Sequence, residues 1–284
     1  MDGAGQWPVS VRCAMGHRYE TISLLTDLGT GDELAGVLRS VVRSIAPSVV
    51  VIDITHEVPA HDVRAGSLAL LRAAQYLAAG VVVGGVDAGG GTARRFIAVE
   101  VGGGHSVLVG PDNGLLAPTV GLCGGAGRVV ELVSPDHRLP SAGGPTFAAR
   151  DILVPAAAHL CNGVDLTELG PAVDPFSLLP GVVPLTRLED GVLKAEVLWV
   201  DRFGNAQLNV DPDELLPFGT RLTVGTGSRT RTASTTTSFG ALGPGELGLL
   251  VDSYGLVSLV LDRASAADEL ALSPGAPVDL SAHE

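Results

Sequence analysis

The sequence predicts an α/β N-terminal domain with a mainly parallel sheet, followed by a smaller, barrel-like all-β C-terminal domain. Short runs rich in Val and Ile alternate with helical patterns up to about residue 175, which is typical of strands buried on both faces of a parallel sheet. Helical periods then disappear, and short alternating runs separated by turn residues follow, as in small sandwiches and barrels. Glycine contributes 38 of the 284 residues and often follows an apolar run, where sharp turns need it.

The N-terminal domain is assigned to residues 21–175, and residues 1–20, which show no clear pattern, to a flexible extension. Its predicted strands are the apolar runs Thr21–Leu25, Val49–Ile54, Val81–Val86, Phe96–Val101, Val107–Val109 and Val129–Val133. Its predicted helices are Asp32–Ala46, Asp62–Ala79 and Arg150–Cys161. Pro47 ends the first of these helices, and Gly80 suits the C-terminal cap of the second.

The C-terminal domain is assigned to residues 185–284, after a Pro-rich linker at Pro171–Pro184. Its predicted strands are Lys194–Val200, Ala206–Val210, Arg221–Thr226, Leu247–Val251 and Leu256–Leu261. The segment Arg229–Thr237 consists almost entirely of Ser, Thr and Arg. It suits either a polar β-hairpin at the edge of a sheet or a loop, and we favour the hairpin edge.

Composition limits the function classes. Charged residues are 17% and hydrophobic residues 46% of the chain, which excludes a disordered protein. The net charge of −13 argues against nucleic-acid binding, and no apolar run is long enough for a bilayer span. The scattered Cys13, Cys123 and Cys161 form neither a disulfide framework nor a zinc site. Without a recognisable signal peptide, a cytoplasmic protein that contacts no membrane is expected.

Two clusters at predicted strand ends of the α/β domain carry candidate chemistry, because ligands bind at the carboxyl ends of parallel strands. Asp27 and Asp32 follow the first strand and could hold ribose hydroxyls or an amine, although Asp32 alone suits a helix cap better. Asp87 and Arg94 flank a Gly-rich turn and could face each other. That pair either orients a water or is only a salt bridge that holds the loop, and the residues alone favour the structural salt bridge. A third strand-end turn, Gly110–Leu116, is weak evidence alone.

The β domain contributes one cluster, and the histidines contribute little. Val200–Asn205 combines an acid, an aromatic ring and a carboxamide, which suits an adenine plus an amino-acid ligand; the alternative is a β-turn with a buried Phe. His56 and His61 lie beside acidic residues, but Pro59 interrupts any helical metal-binding geometry. No metal site and no cofactor are therefore predicted. His159 lies on an apolar helix face and suits a core position.

Seven motifs, taken together and in order, resemble one family. They are Thr26-Asp27-Leu28-Gly29, Asp53-Ile54-Thr55-His56, Val86-Asp87…Gly91-Thr92-Ala93-Arg94-Arg95, Pro111-Asp112-Asn113-Gly114-Leu115-Leu116, Thr146-Phe147…Arg150-Asp151, Asp201-Arg202-Phe203-Gly204-Asn205 and Ser253-Tyr254-Gly255. The chain resembles the S-adenosyl-L-methionine hydroxide adenosyltransferases, also called S-adenosylmethionine (SAM) hydrolases, which are relatives of the fluorinase and chlorinase enzymes. The resemblance runs from about Thr21 to near the C-terminus.

The resemblance implies hydrolysis of SAM to adenosine and L-methionine in a homotrimer whose active sites lie between subunits. It implies Asp87 and Arg94 as the catalytic pair. Around the ribose it implies Asp27 for the diol and His61 in place of an aromatic wall. For the methionine part it implies Asp32 at the amino-acid end, Asp201 for the ammonium and Ser253 for the carboxylate. For adenine it implies Asn205 at the edge and Phe203 and Phe239 on the base; Asn113, Phe147 and Tyr254 are further substrate-binding residues.

One departure from the family pattern affects the chemistry. The family's water-handling group also contains a His in a Thr-Phe-His-Gly-Arg-Asp motif, which here reads Thr146-Phe147-Ala148-Ala149-Arg150-Asp151. His137 is the nearest in sequence but lies in a Pro-flanked loop. A slow hydrolase is expected, because losing a proton-handling group costs about 10²–10⁴-fold in rate. The alternative is a SAM or adenosine binder with no chemistry or another nucleophile, including a halogenase-like enzyme.

Overall fold

The computed structural model describes residues 18–89, 92–140, 144–227 and 229–283. The chain divides into two compact units, residues 1–182 and residues 183–284. Residues 1–17 of the predicted extension lie outside the described residues. Arg18 and Tyr19 belong to the folded N-terminal unit, because Arg18 pairs with Glu100 at 2.9 Å and Tyr19 is buried.

The N-terminal unit contains a six-stranded sheet in the order β2-β1-β3-β5-β4-β6. Its strands are β1 (Thr21–Thr26), β2 (Val50–Thr55), β3 (Val81–Gly85), β4 (Phe96–Val101), β5 (Ser106–Pro111) and β6 (Val129–Glu131). The first four strands in the sheet order are parallel, whereas β4 runs antiparallel to both β5 and β6. The predicted, mainly parallel sheet is confirmed. The antiparallel pair arises because Gly102–Gly104, all three with positive φ, allow a tight turn between β4 and β5.

Helices cover both faces of this sheet. They are α1 (Leu34–Ile45), α2 (Val63–Ala74), α3 (Ala117–Leu122) and α4 (Val154–Cys161), which continues from a π-helical turn at Ala149–Leu153. Side chains of α1 and α4 share one apolar core with the sheet, and side chains of α2 and α3 share another. The sequence patterns indicated α1, α2 and α4, although α2 ends five residues earlier than predicted. The short α3 was not predicted from the sequence.

The C-terminal unit is a closed barrel of seven strands with one additional strand. The strands are β7 (Arg187–Glu189), β8 (Val192–Val200), β9 (Ala206–Leu208), β10 (Arg221–Gly225), β11 (Thr230–Thr236), β12 (Leu247–Val251), β13 (Val257–Leu261) and β14 (Pro277–Ala282), and α5 (Ala266–Leu270) lies between the last two. Pairing of β14 with β8 closes the barrel, and β7 extends it beside β8. Alternate apolar side chains fill its interior, as in other small barrels.

The polar segment at residues 229–237 is a correction to the sequence prediction. Its strand, β11, pairs with β10 in a hairpin but also with β12 on its other side, so it is an interior strand and not an edge. Ala233 is its fully buried residue. The other residues of the strand are polar and partly or largely exposed, so its alternation carries little of the apolar signal that marks an interior strand.

Among the described residues, no helix is both long enough and apolar enough to cross a membrane.

Candidate active site

Asp27 connects three loops at one edge of the parallel sheet. It follows β1, and its Oδ2 accepts the backbone N–H of His61 at 3.0 Å and the backbone N–H of Asp87 at 3.2 Å. His61 lies between β2 and α2, and Asp87 lies just beyond β3. Since β2, β1 and β3 are neighbouring parallel strands, their carboxyl ends meet at the same edge. The carboxylate therefore fixes the backbones of the two adjacent loops.

Asp87 and Arg94 face each other, as the sequence suggested. Arg94 Nη1 lies 2.8 Å from Asp87 Oδ2 and also donates to the Asp87 backbone carbonyl. The hydrogen bond from Arg94 lowers the pKa of the Asp87 carboxyl below its ordinary value, against the opposing effect of burial. Asp87 is therefore a carboxylate at neutral pH, held by a cation on one of its oxygens.

The loop between Asp87 and Arg94 needs glycine at its turn. Gly89 has φ +64°, and a Cβ there would lie 2.9 Å from Thr92 Oγ1 and 3.1 Å from Arg94 Nη1. Thr92 Oγ1 donates to the Gly89 carbonyl at 2.6 Å and closes the turn. Gly90 and Gly91 lie outside the described residues. A side chain at Gly89 would displace the guanidinium from Asp87.

Asn113, in the turn after β5, supports the same loop from the next strand of the sheet. Its Nδ2 donates to the carbonyl of Val86 at 3.1 Å, and its Oδ1 accepts the backbone N–H of Leu115 at 3.1 Å. This part of the Pro-Asp-Asn-Gly turn thus contacts the backbone directly before Asp87. Its described contacts position the loop.

Asp32 and Phe147, two further predicted residues of this unit, have described contacts elsewhere. Asp32 Oδ1 accepts the backbone N–H of Leu34, the first residue of α1, at 3.0 Å, but the N-cap position is occupied by Glu33 and not by Asp32 as the sequence suggested. The Phe147 ring lies 5.1 Å from the guanidinium carbon of Arg150. Their ligand-binding roles stay predictions.

Histidines do not form a metal site in the described part of the chain. Buried His56 lies between Thr26 and Asp53, with Nδ1 2.7 Å from Thr26 Oγ1 and Nε2 3.1 Å from Asp53 Oδ1. His61 contacts a different carboxylate, with Nδ1 3.4 Å from Asp87 Oδ1. Among the described residues, no group of three or more His, Cys, Asp or Glu is arranged to hold a metal ion.

Ala148 is buried directly before the π-helical turn, so this segment presents no imidazole. His137, the nearest histidine in sequence, has its ring centroid 4.9 Å from that of His159 and its Nδ1 3.0 Å from Ser134 Oγ. Burial, and secondarily His137, lowers the pKa of His159. His159, which the sequence places in the core, is therefore only half-buried, and its ring packs against that of His137.

In the C-terminal unit, Asp201 organises the turn that carries Phe203 and Asn205. Its Oδ1 accepts the backbone N–H groups of Phe203 at 2.8 Å and Asn205 at 2.9 Å, and its Oδ2 accepts Asn205 Nδ2 at 2.7 Å. Gly204 has φ +82°, and a Cβ there would lie 2.1 Å from Ser265 Oγ. The side chain of Phe203 is 78% exposed, which excludes the alternative of a turn around a buried Phe.

Two adjacent cavities of this unit contain the predicted ligand residues. A cavity of about 550 Å³ is lined by Phe203, Asn205, Phe239, Leu261, Asp262, Arg263, Ala264 and Ser265. A cavity of about 510 Å³ shares Asn205 and Phe239 and adds Asp201, Ser253 and Tyr254. All six residues predicted in this unit therefore line one or both cavities. The segment from Asp262 to Ser265 was missed, because it reads as an ordinary polar turn.

Sequence reasoning also missed a hydrogen-bonded group at the wall of the second cavity. Asp252 Oδ2 accepts Gln207 Nε2 at 2.7 Å and Ser258 Oγ at 2.9 Å, and its Oδ1 accepts the N–H of Tyr254 at 2.8 Å. Gln207 is 2% exposed, and its Oε1 has no hydrogen-bond partner in the described chain. Donation to Asp252 fixes the amide orientation, because only the NH₂ group can donate. A buried acceptor without a donor points to a ligand or water.

The site and the fold together define the class of protein. The chain is a two-domain protein in which the polar edge of a mainly parallel sheet and an aromatic-lined face of a β-barrel carry the candidate ligand residues. Residues 22–170 match the family model described as the SAM hydroxide adenosyltransferase N-terminal domain, and residues 195–279 match the corresponding C-terminal domain. The chain belongs to the SAM hydroxide adenosyltransferase family.

Individual relatives agree with this assignment. The chain is 42% identical over 254 residues, covering 89% of it and 95% of the relative, to a Salinispora tropica protein named (R)-S-adenosyl-L-methionine hydrolase. It is 36% identical to a Thermus thermophilus protein of the same name, over 91% of this chain and 98% of the relative. The crystal structure of an uncharacterized conserved protein from Thermotoga maritima has a TM-score of 0.84 and 30% identity, covering 92% of this chain and 99% of that one.

Proposed function

We propose that this protein hydrolyses S-adenosyl-L-methionine to adenosine and L-methionine. The single observation that carries the proposal is the Asp87–Arg94 pair, joined at 2.8 Å at the sheet edge where Asp27 also lies. The names of the relatives support the same reaction. The pair is thereby assigned to orient the attacking water, rather than only to staple its loop.

The chemistry requires positioning more than acid catalysis. An oxygen of water forms a bond to ribose C5′ while the C5′–S bond breaks in line with it, and the bonding pair returns to sulfur. Methionine leaves as a neutral thioether, so the leaving group needs no proton, metal or cofactor. The ionised Asp87 orients the water, and Arg94 holds that carboxylate in place. Such positioning can supply a large part of the rate acceleration.

The binding roles proposed for the other residues follow from chemical type. Asp27 is assigned to the ribose hydroxyls. These would donate hydrogen bonds to its Oδ1, because Oδ2 already accepts two backbone N–H groups. Asp201 and Ser253 are assigned to the ammonium and carboxylate of methionine. Asn205, with Phe203 and Phe239, is assigned to adenine, since aromatic faces and a carboxamide suit a purine.

The assembly and location belong to the same proposal. We assign a homotrimer in which neighbouring subunits complete each active site, with no nucleic-acid or membrane partner. Such an assembly could cover large apolar side chains that the single chain exposes, including Phe176 at 98%, Leu185 at 82% and Phe203 at 78% exposure. A cytoplasmic location rests on the sequence, whose three scattered cysteines suit a reducing compartment.

Product analysis in isotopically labelled water tests the reaction. The purified protein is incubated with SAM, with and without chloride, and the products are resolved by chromatography and mass spectrometry. We expect methionine and adenosine whose 5′-hydroxyl carries the labelled oxygen, independent of chloride. A 5′-chloro product would instead support halogenase-like chemistry, which the ionised Asp87 disfavours by repelling an anion. Saturable binding without product would support a non-catalytic binder.

A further inference from the structure

His61 contacts the Asp87–Arg94 pair from a different loop. Its Nδ1 lies 3.4 Å from Asp87 Oδ1, while Arg94 Nη1 lies 2.8 Å from the other oxygen, Oδ2. The two oxygens of one carboxylate are therefore divided between a guanidinium and an imidazole. An imidazole oriented through Nδ1 by a carboxylate leaves Nε2 available as a proton acceptor, as in the dyad of serine hydrolases.

The backbone holds His61 in this place at a conformational cost. Its φ is +64°, and the φ of Asp87 is +43°; residues other than glycine adopt such angles uncommonly. The backbone N–H groups of both residues donate to the same Asp27 Oδ2, at 3.0 Å and 3.2 Å. Two unfavourable conformations held by one carboxylate are typical of a functional site. This arrangement fixes the separation of the two backbones from which the imidazole and the carboxylate extend.

The charges around His61 come from three elements. Asp27 follows β1, Asp62 lies at the start of α2, and Asp87 and Arg94 flank the loop after β3. Asp62 Oδ1 accepts the backbone N–H of Ala65 at 2.8 Å and so caps the helix. Asp87 is a weak base, because Arg94 lowers its pKa. An imidazole is the side chain best matched to accept a proton near neutral pH.

We propose that His61 is the catalytic base of the reaction and takes the role of the histidine that Ala148 replaces. The inference rests on the proposed hydrolysis of SAM. As the oxygen of water bonds to C5′ and the C5′–S bond breaks, the proton of the water passes to His61 Nε2. Asp87 stabilises the resulting imidazolium through Nδ1, and the proton is then released to solvent. The His61 side chain is 79% exposed in the single chain.

Two variants separate this role from that of a ribose wall. His61→Phe keeps an aromatic ring but cannot accept a proton. His61→Asn also removes the base, but asparagine tolerates positive φ and so preserves the backbone, which phenylalanine does less readily. Circular dichroism and thermal unfolding of both variants establish that each remains folded.

The measurement is the pH dependence of kcat and KM for SAM hydrolysis by the full-length wild type and both variants. We expect both variants to lose about 10²–10⁴-fold in kcat with KM changed less than about threefold, and to change the pH profile of kcat. A folded His61→Asn with wild-type kcat, or an unchanged pH profile in both variants, overturns the inference alone. A wild type that forms no adenosine overturns the proposed function and this inference with it.

Discussion

Arg94 holds Asp87 at two points, the carboxylate oxygen Oδ2 at 2.8 Å and the backbone carbonyl. The side chain therefore fixes both the direction of the carboxylate and the conformation of its residue, whose φ is +43°. The two N–H groups of one guanidinium nitrogen, Nη1, thus hold both atoms of Asp87. Removing it should disturb the carboxylate more than removing a simple surface ion pair would.

The first prediction concerns this pair. Asp87→Asn and Arg94→Ala should each lower kcat by about 10²–10⁴-fold, because the carboxylate that orients the water is removed or displaced. SAM affinity, measured by titration calorimetry, should change less than about threefold, since neither side chain is assigned to the bound substrate. Arg231→Ala is the matched control: it removes an ion pair with Glu269 in the barrel and should leave kcat unchanged. Wild-type rates in Asp87→Asn would contradict the assigned role.

The second prediction concerns Asn113. Asn113→Asp is nearly isosteric, but it replaces the Nδ2 that donates to the Val86 carbonyl at 3.1 Å with a second acceptor oxygen. The lost hydrogen bond and the facing oxygens should reduce the free energy of unfolding by about 1–3 kcal/mol. The activity should fall as well, because the loop before Asp87 loses its support.

Urea unfolding and kcat measure the two effects of Asn113→Asp. The other hydrogen bond of this side chain should survive the substitution, since an aspartate oxygen can still accept the backbone N–H of Leu115. A variant as stable and as active as the wild type would show that the Val86 contact does not position the Asp87 loop.

The sequence predicted the parts of the site that are local in the chain. Asp87 and Arg94 are seven residues apart around a Gly turn, so their approach follows from turn geometry. Asp27 could be placed at the same sheet edge because the strand–helix alternation predicts a parallel sheet, in which the carboxyl ends of the strands lie on one side. Both fold classes were likewise predicted from periodicity alone.

Contacts between distant segments could not be predicted in this way. The approach of His61 to Asp87 depends on a left-handed residue before α2, and a non-glycine residue gives no sequence signal of that conformation. Gln207 and Asp252 meet because β9 pairs with β13, and strand order within a barrel is not encoded in the period of its strands. The polar residues of β11 predict an edge strand, because only one small side chain of this interior strand, that of Ala233, is fully buried.

The third prediction concerns Gln207. Gln207→Leu removes an acceptor, Oε1, that lacks a donor in the described chain, at a cavity that also contains Asp201 and Ser253. If a donor of the bound substrate uses this oxygen, KM for SAM should rise about tenfold, the equivalent of about 1.4 kcal/mol. Its kcat should change little, because the residues of this cavity are assigned to the methionine and adenine parts of the substrate and not to the reacting carbon.

Ser258→Ala is the matched control for Gln207→Leu. It removes a different donor to the same Asp252 oxygen, at 2.9 Å, and leaves the Gln207 amide in place. Steady-state kinetics should show a KM close to that of the wild type for this control. An equal rise of KM in both variants would assign the effect to disturbance of Asp252 instead of the loss of Oε1.

The fourth prediction concerns stability and pH at Glu100. This carboxylate is 8% exposed and accepts Arg128 Nε at 2.8 Å and Nη2 at 2.7 Å, together with Arg18 Nη2 at 2.9 Å. The hydrogen bonds from Arg128 lower its pKa below the ordinary 4.5, against the effect of burial. A carboxyl group whose pKa is lower in the folded state stabilises the fold at pH values above its unfolded-state pKa. This stabilisation is lost as the pH falls through the folded-state pKa.

Glu100→Gln should therefore reduce the free energy of unfolding at pH 7 by about 1–3 kcal/mol. The difference from the wild type should shrink as the pH falls from about 4.5 towards the lowered folded-state pKa, because the unfolded wild-type chain takes up the proton before the folded one does. Urea unfolding at several pH values measures this. Glu269→Gln is the control, since its exposed pair with Arg231 should contribute less than about 1 kcal/mol. A difference between Glu100→Gln and wild type that stays constant into the acid range would show that shape, and not charge, makes Glu100 stabilising.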